Sequence, residues 1–156
     1  MRAAEKLAYK TCKYYRSNKM VRVKILRFIM RTIFSFDFRP EVILGEKVQF
    51  IHNGLGTVFH PKTKIGNNCK IYQNVTLGGN GKIIDGATTK GAPTLEENVA
   101  VFCGACVLGP ITIGHDSIIG ANAVITKDVP PNSLVFGNPA IVKELKFKYD
   151  FGDNAK

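Results

Sequence analysis

The chain has 156 residues, room for one domain, and 45% hydrophobic content can fill a core. Its 22 Lys and Arg against 12 Asp and Glu give a formal net charge of +10, yet no stretch reaches the roughly 18 uninterrupted apolar residues of a membrane span. Cys103 and Cys106 form one CxxC with no second ligand pair nearby, which argues against structural zinc, and no metal is expected. No alternating strand–helix pattern surrounds that pair to suggest a redox motif. Reduced thiols and the lack of a charged-then-apolar leader point to the cytoplasm, with the inner membrane face as a further possibility.

Residues 1–39 hold eleven Lys or Arg against Glu5 and Asp37, so nearly the whole positive excess is N-terminal. Leu7, Tyr14, Met20, Val23, Leu26, Phe28 and Ile33 alternate with Arg22, Lys24, Arg27 and Arg31. This predicts one or two amphipathic helices over residues 1–36, with a break near Ser17-Asn18. Two readings of the segment stand. Its apolar face packs on the rest of the molecule or on a neighbouring subunit, or it makes peripheral contact with an anionic membrane. No nucleic-acid motif accompanies the charges, so nucleic acid is not an expected partner.

From Ile65 onward a six-residue period takes over. Aliphatic residues fall at Ile65, Ile71, Leu77, Leu95, Val101, Val107, Ile113, Ile119 and Ile125. Four residues after each comes a small or apolar one: Cys69, Val75, Gly81, Val99, Ala105, Ile111, Ser117, Ala123 and Val129. Side chains two apart on a strand share a face, so each pair points inward, with turn residues such as Gly66-Asn67-Asn68 between. A helix needs contacts at three, four and seven instead. The period predicts a mainly β, parallel β-helix from Ile65 onward; the domain is expected to run over residues 37–143, followed by a tail over 144–156. Residues 80–93 lose the pattern and read as an extruded loop, although Ile83 and Ala87 would also fit a degenerate coil.

The segment Tyr72-Gln73-Asn74-Val75-Thr76-Leu77-Gly78-Gly79 resembles the QxVTLGG segment of hexapeptide-repeat acetyltransferases. So do Ile119-Gly120-Ala121-Asn122-Ala123-Val124, Asp128-Val129-Pro130-Pro131 and Phe136-Gly137-Asn138-Pro139-Ala140. The resemblance is nearest to serine acetyltransferases and bacterial capsule or exopolysaccharide (colanic-acid-type) O-acetyltransferases. It implies a left-handed parallel β-helix, a homotrimer with sites between subunits, and acetyl-CoA bound along a groove between coils. The family's catalytic base falls on His52, in Phe50-Ile51-His52-Asn53-Gly54, with Asp37 fifteen residues earlier as in serine acetyltransferases. Because fifteen is close to one coil of eighteen, Asp37 is expected below His52, orienting its ring. Transfer to an alcohol needs such a base, since a hydroxyl is a poor nucleophile until its proton is taken.

His60 is the second candidate base or, with Asn80, an acceptor-binding residue; His115 reads as a solvated turn residue. Matching positions for acetyl-CoA are Gly79, Cys103 and Ala121, with Gly104 keeping the backbone approachable. Lys127 and Lys143 are candidates for the cofactor's phosphates. Two differences from serine acetyltransferases shape the acceptor expectation. Lys90-Gly91-Ala92-Pro93 stands where they carry Asp-Arg-His-Pro, and Ile51 where they carry Asp. Without those side chains a serine carboxylate loses its charge-assisted bonds, so a glycan hydroxyl of a capsular or exopolysaccharide precursor is the expected acceptor. Serine O-acetylation and a non-catalytic, structural or carbohydrate-binding coil are the alternatives, and an acetylated Cys103 is the rival mechanism.

Overall fold

Each hexad forms a short strand and then a corner, and in many of these corners one residue takes the left-handed region. Asn68 (φ 57°), Asn74 (59°), Asn98 (55°), Asp116 (56°) and Asn122 (57°) hold those places, and after glycine these side chains tolerate that conformation best. The computed structural model describes residues 1–81, 83–84, 87–88, 91–147 and 149.

The strands stack into three faces. Face one holds β1 (Ile43–Leu44), β4 (Lys64–Ile65), β9 (Thr94–Leu95) and β12 (Thr112–Ile113). Face two holds β2 (Gln49–Phe50), β5 (Lys70–Ile71), β10 (Ala100–Val101), β13 (Ile118–Ile119) and β15 (Ser133–Phe136), closed by the antiparallel β16 (Ile141–Glu144). Face three holds β3 (Val58–Phe59), β6 (Thr76–Gly78), β11 (Cys106–Leu108) and β14 (Val124–Ile125). All other neighbours within these faces are parallel. The protein is a left-handed parallel β-helix, mainly β with two helices.

Register shows where the coil departs from its period. Thr94 lies opposite Thr112 and Cys106 opposite Val124, eighteen residues apart. Lower down, Gln49 lies opposite Lys70 and Asp37 bridges Val58, twenty-one apart, because a 3-10 turn at Ile51–Gly54 adds residues to that coil. Across residues 80–93 the separation is thirty, as between Thr76 and Cys106. There β7 (Ile83–Ile84) and β8 (Ala87–Thr88) pair with each other, antiparallel, and join none of the three faces.

The inward column runs from Phe38, Phe50 and Phe59 through Ile65 and Leu77 to Ile125, each at most 2% exposed. At about 1.5–3 kcal/mol per large apolar side chain, this column is the main source of stability. Cys69, Val75, Val99, Ala105, Ile111, Ser117, Ala123 and Val129 are buried beside it. Gly81 is exposed instead, because the chain leaves the coil there. Phe36, Phe38, Phe50 and Phe59 close the N-terminal end as an aromatic plug.

α1 (Ala3–Arg16) caps the open backbone of the first coil. Tyr9 donates its hydroxyl proton to the Gly45 carbonyl (2.6 Å) and accepts from the Val48 N–H (3.1 Å). The buried Glu5 carboxylate accepts from the Phe50 N–H (3.0 Å) and pairs with Arg2 (3.2 Å). Packing on the coil therefore accounts for α1. α2 (Met20–Phe34) buries Val23 and Met30 but leaves Val21, Ile25, Phe28 and Ile33 exposed. Among the described residues no helix is long and apolar enough to cross a membrane.

Candidate active site

The three histidines lie at three different edges of the coil. His52 follows β2, where face two turns into face three. His60 follows β3, where face three turns into face one. His115 follows β12, where face one turns into face two. The same register sorts the other candidates: Cys103, Gly104 and Ala121 share the His52 edge, while Gly79, Asn80 and Lys127 share the His60 edge.

His52 sits in an unusual turn. His52 (φ 53°), Asn53 (57°) and Gly54 (64°) take the left-handed region in succession, a conformation that costs L-residues about 1–2 kcal/mol each. Several contacts hold it. The Thr57 hydroxyl donates to the Gly54 carbonyl (2.6 Å), Asn53 Oδ1 accepts from the Ala4 N–H (3.4 Å), and a Cβ on Gly54 would stand 3.0 Å from the Phe36 ring. The imidazole itself is exposed and has no hydrogen-bond partner among the described residues.

Asp37 makes no hydrogen bond to that ring. Its carboxylate faces Arg27 (3.7 Å) and Arg31 (3.9 Å) of α2. Asp37 stacks below Val58 on face three, twenty-one residues apart, so the eighteen-residue count does not hold for this coil.

His60 is half-buried, and its Nδ1 accepts from the Lys62 N–H (3.1 Å). The Cδ2–Nε2 side of the ring faces Gly79, where a built Cβ would stand 3.8 and 3.9 Å from those atoms. Asn80 packs against Gly109 one coil on.

The His52 edge carries unpaired backbone donors. The N–H groups of Cys103 and Ala121 find no acceptor among the described residues, so both remain available to a ligand's carbonyl groups. Gly104 has a structural reason of its own: its φ is +72°, and a side chain there would collide with the Asn122 amide. Lys143, on β16, stands over the Phe136 ring (5.5 Å). Lys127 is exposed beyond β14. Lys90 lies outside the described residues.

Sequence reasoning missed an aromatic pair bordering Cys103. Tyr72 and Phe102 stack at 4.6 Å with an 11° interplanar angle, and Tyr149 meets Phe102 edge-on at 5.8 Å. The signal was present, since both follow an inward aliphatic (Ile71, Val101) in coils joined by β5 and β10. His115 is a turn residue, and its hydrogen bond to Asp116 (2.7 Å) raises its pKa above the ordinary 6.5. Burial pushes the Cys12 thiol up to about 11 and Cys69 up to about 12. Among the described residues no His, Cys, Asp or Glu cluster is arranged to hold a metal.

Comparison with known proteins places this three-faced coil among hexapeptide-repeat proteins. The family described as bacterial transferase hexapeptide (six repeats) matches residues 92–127. The chain is therefore similar to hexapeptide-repeat transferases over that stretch. A serine acetyltransferase of Mycobacterium tuberculosis is 43% identical over 112 residues, which cover 72% of this chain and 47% of that protein. A soybean serine acetyltransferase solved in complex with serine is 31% identical with a TM-score of 0.79, covering 90% of this chain and 56% of that one. A serine acetyltransferase solved with CoA is 28% identical with a TM-score of 0.78, covering 90% and 55%. The chain spans about half the length of the curated relatives it matches.

These relatives correct the acceptor expectation. The matched proteins are serine acetyltransferases, and nothing among them supports a capsular or exopolysaccharide acceptor. The glycan reading rested on two side chains missing from Lys90-Gly91-Ala92-Pro93 and on Ile51. Such absences say what is not held there, not what is held instead.

Proposed function

We propose that this protein is an acetyl-CoA-dependent serine O-acetyltransferase, with His52 as the general base. The observation that carries the reading is the His52 turn, in which an exposed imidazole without an internal partner is held out in a strained conformation by packing beneath it. Strain of this kind persists only where surrounding structure over-determines it, and it gathers at functional sites. His52 takes the proton of the serine hydroxyl as its oxygen attacks the thioester carbonyl. The tetrahedral intermediate then collapses, the C–S bond breaks, and the imidazolium returns the proton to the CoA sulfur.

One chain does not complete this site. Cys103 and Ala121 lie on the His52 edge, whereas Gly79 lies a full face away on the His60 edge. A six-residue face spans roughly 15–20 Å at 3.3 Å per residue, far beyond proton-transfer reach. A homotrimer in which the His52 edge of one subunit meets the His60 edge of the next supplies both halves. The exposed apolar Val58 on the face between those edges supports that packing. Four free thiols support a cytoplasmic location. Exposed Val21, Ile25 and Phe28, flanked by Arg22, Lys24 and Arg31, suit peripheral contact of α2 with an anionic lipid surface.

The test is product analysis with acetyl-CoA and L-serine for the wild type and His52→Ala. O-acetylserine made by the wild type and lost in the variant supports the reading. Turnover that survives in His52→Ala, or none with serine, contradicts it.

A further inference from the structure

We propose that His60 is a catalytic hydrogen-bond donor, not a base, and that its Nε2–H and the Gly79 N–H together hold the thioester carbonyl as it becomes an oxyanion. The proposal rests on the acetyl-transfer reading above. Its starting point is the Lys62 N–H, which donates to His60 Nδ1 at 3.1 Å. A ring nitrogen that accepts a hydrogen bond carries no proton, so in the neutral imidazole the proton sits on Nε2. A base needs a lone pair at the atom it presents, and Nε2 has none to give in that tautomer.

That protonated side faces Gly79. The Gly79 N–H has no acceptor among the described residues. Nor does the backbone demand glycine here, because Gly79 is not among the residues of positive φ. What the missing side chain provides is an opening beside His60 Nε2, walled by the Gly91 carbonyl, which would lie 3.3 Å from a Cβ at Gly79. An unpaired backbone N–H and an imidazole N–H from adjoining positions on one edge are the kinds of donor that make up an oxyanion hole, where preorganised donors act on charge that develops in the transition state. His60 and Gly79 lie on the same edge of one chain, so this half of the site is prebuilt in each subunit. The reaction then uses two histidines in opposite senses: His52 receives a proton, while His60 offers one in a hydrogen bond and keeps it.

The test compares His60→Ala with His60→Gln, whose amide nitrogen reaches the Nε2 position. Loss of one such donor lowers kcat by about a hundredfold or more, so His60→Ala should show that fall with little change in the KM for acetyl-CoA. His60→Gln should recover most of it. With acetyl-CoA carrying carbon-13 at the acetyl carbonyl, the bound carbonyl resonance should move towards its free position in His60→Ala and return in His60→Gln. A His60→Ala rate within about twofold of wild type, or no rescue by glutamine, overturns the proposal. If the wild type turns over and His60→Ala is unaffected, only this proposal falls. If the wild type neither binds acetyl-CoA nor turns over, the acetyl-transfer reading falls and takes this one with it.

Discussion

Replacing Phe36 by alanine removes the ring on which the His52 turn rests. Phe36 is fully buried and lies edge-on to Phe38, Phe50 and Phe59, with centroids 5.5, 5.0 and 5.3 Å away. Truncating a buried phenylalanine costs about 3–5 kcal/mol through lost transfer energy and the cavity left behind. Three edge-to-face pairs, each worth about 0.5–1.5 kcal/mol beyond burial, place this site at the upper end, about 4–5 kcal/mol. Equilibrium urea unfolding reads the loss as a lower midpoint at an unchanged slope. Protomer concentration must be held fixed, because assembly adds to apparent stability. Phe28→Ala is the control: that ring is 68% exposed on α2, and its removal should stay within about 0.5 kcal/mol. A Phe36→Ala loss under about 1 kcal/mol, or equal losses for the two variants, would refute the claim that the aromatic plug seats the turn.

Thiol labelling of the native protein should reach Cys103 and Cys106 and spare Cys12 and Cys69, whose burial raises their pKa; bound acetyl-CoA should slow labelling of Cys103, and indifference to it would remove that residue from the site. The His115–Asp116 pair makes a second test. The pKa of His115 is raised, so its contribution is complete below about 6.5 and fades as pH rises through the folded value; that of Asp116 is lowered, so its contribution is complete above about 3.8 and fades as pH falls. Asp116→Asn, which keeps a residue suited to φ 56°, should therefore lower the thermal midpoint more at about pH 5.5 than at about pH 8.5, and an equal effect at both would contradict the linkage. Sedimentation with vesicles containing anionic lipid should retain the wild type and release Phe28→Glu, with no binding to neutral vesicles; equal binding to both kinds would count against a surface role for α2.

The upper coils were legible in the sequence because Ile65 to Ile125 obey one spacing and each aliphatic residue fills the same inward slot. The lower coil was not. Phe38, Phe50 and Phe59 occupy those slots, but the residues added at Ile51–Gly54 break the spacing between them, and large aromatics do not announce a hexad. The same insertion makes that coil twenty-one residues, so the eighteen-residue spacing behind the placing of Asp37 does not apply to it. The pairing partners of Asp37, Arg27 and Arg31, sit on α2 at a distance that no repeat reveals. Motif resemblance named His52, Gly79, Cys103 and Ala121 as site residues without sorting them by edge. Edge membership depends on counting faces through the insertion. The acceptor was misread for a different reason: two missing side chains were taken as evidence for another substrate.

The division of the site between two edges is the central claim, and subunit mixing tests it most directly. His52→Ala removes the base from one edge, and Gly79→Val blocks the other. Each variant alone should have almost no O-acetylserine activity. If neighbouring chains supply the two halves, an equal mixture, dissociated and reassembled, should recover about a quarter of wild-type activity, since one adjacent pair in four then has both edges intact. A mixture as inactive as its components, although mixed assemblies form, would place the whole site within one chain and contradict the account.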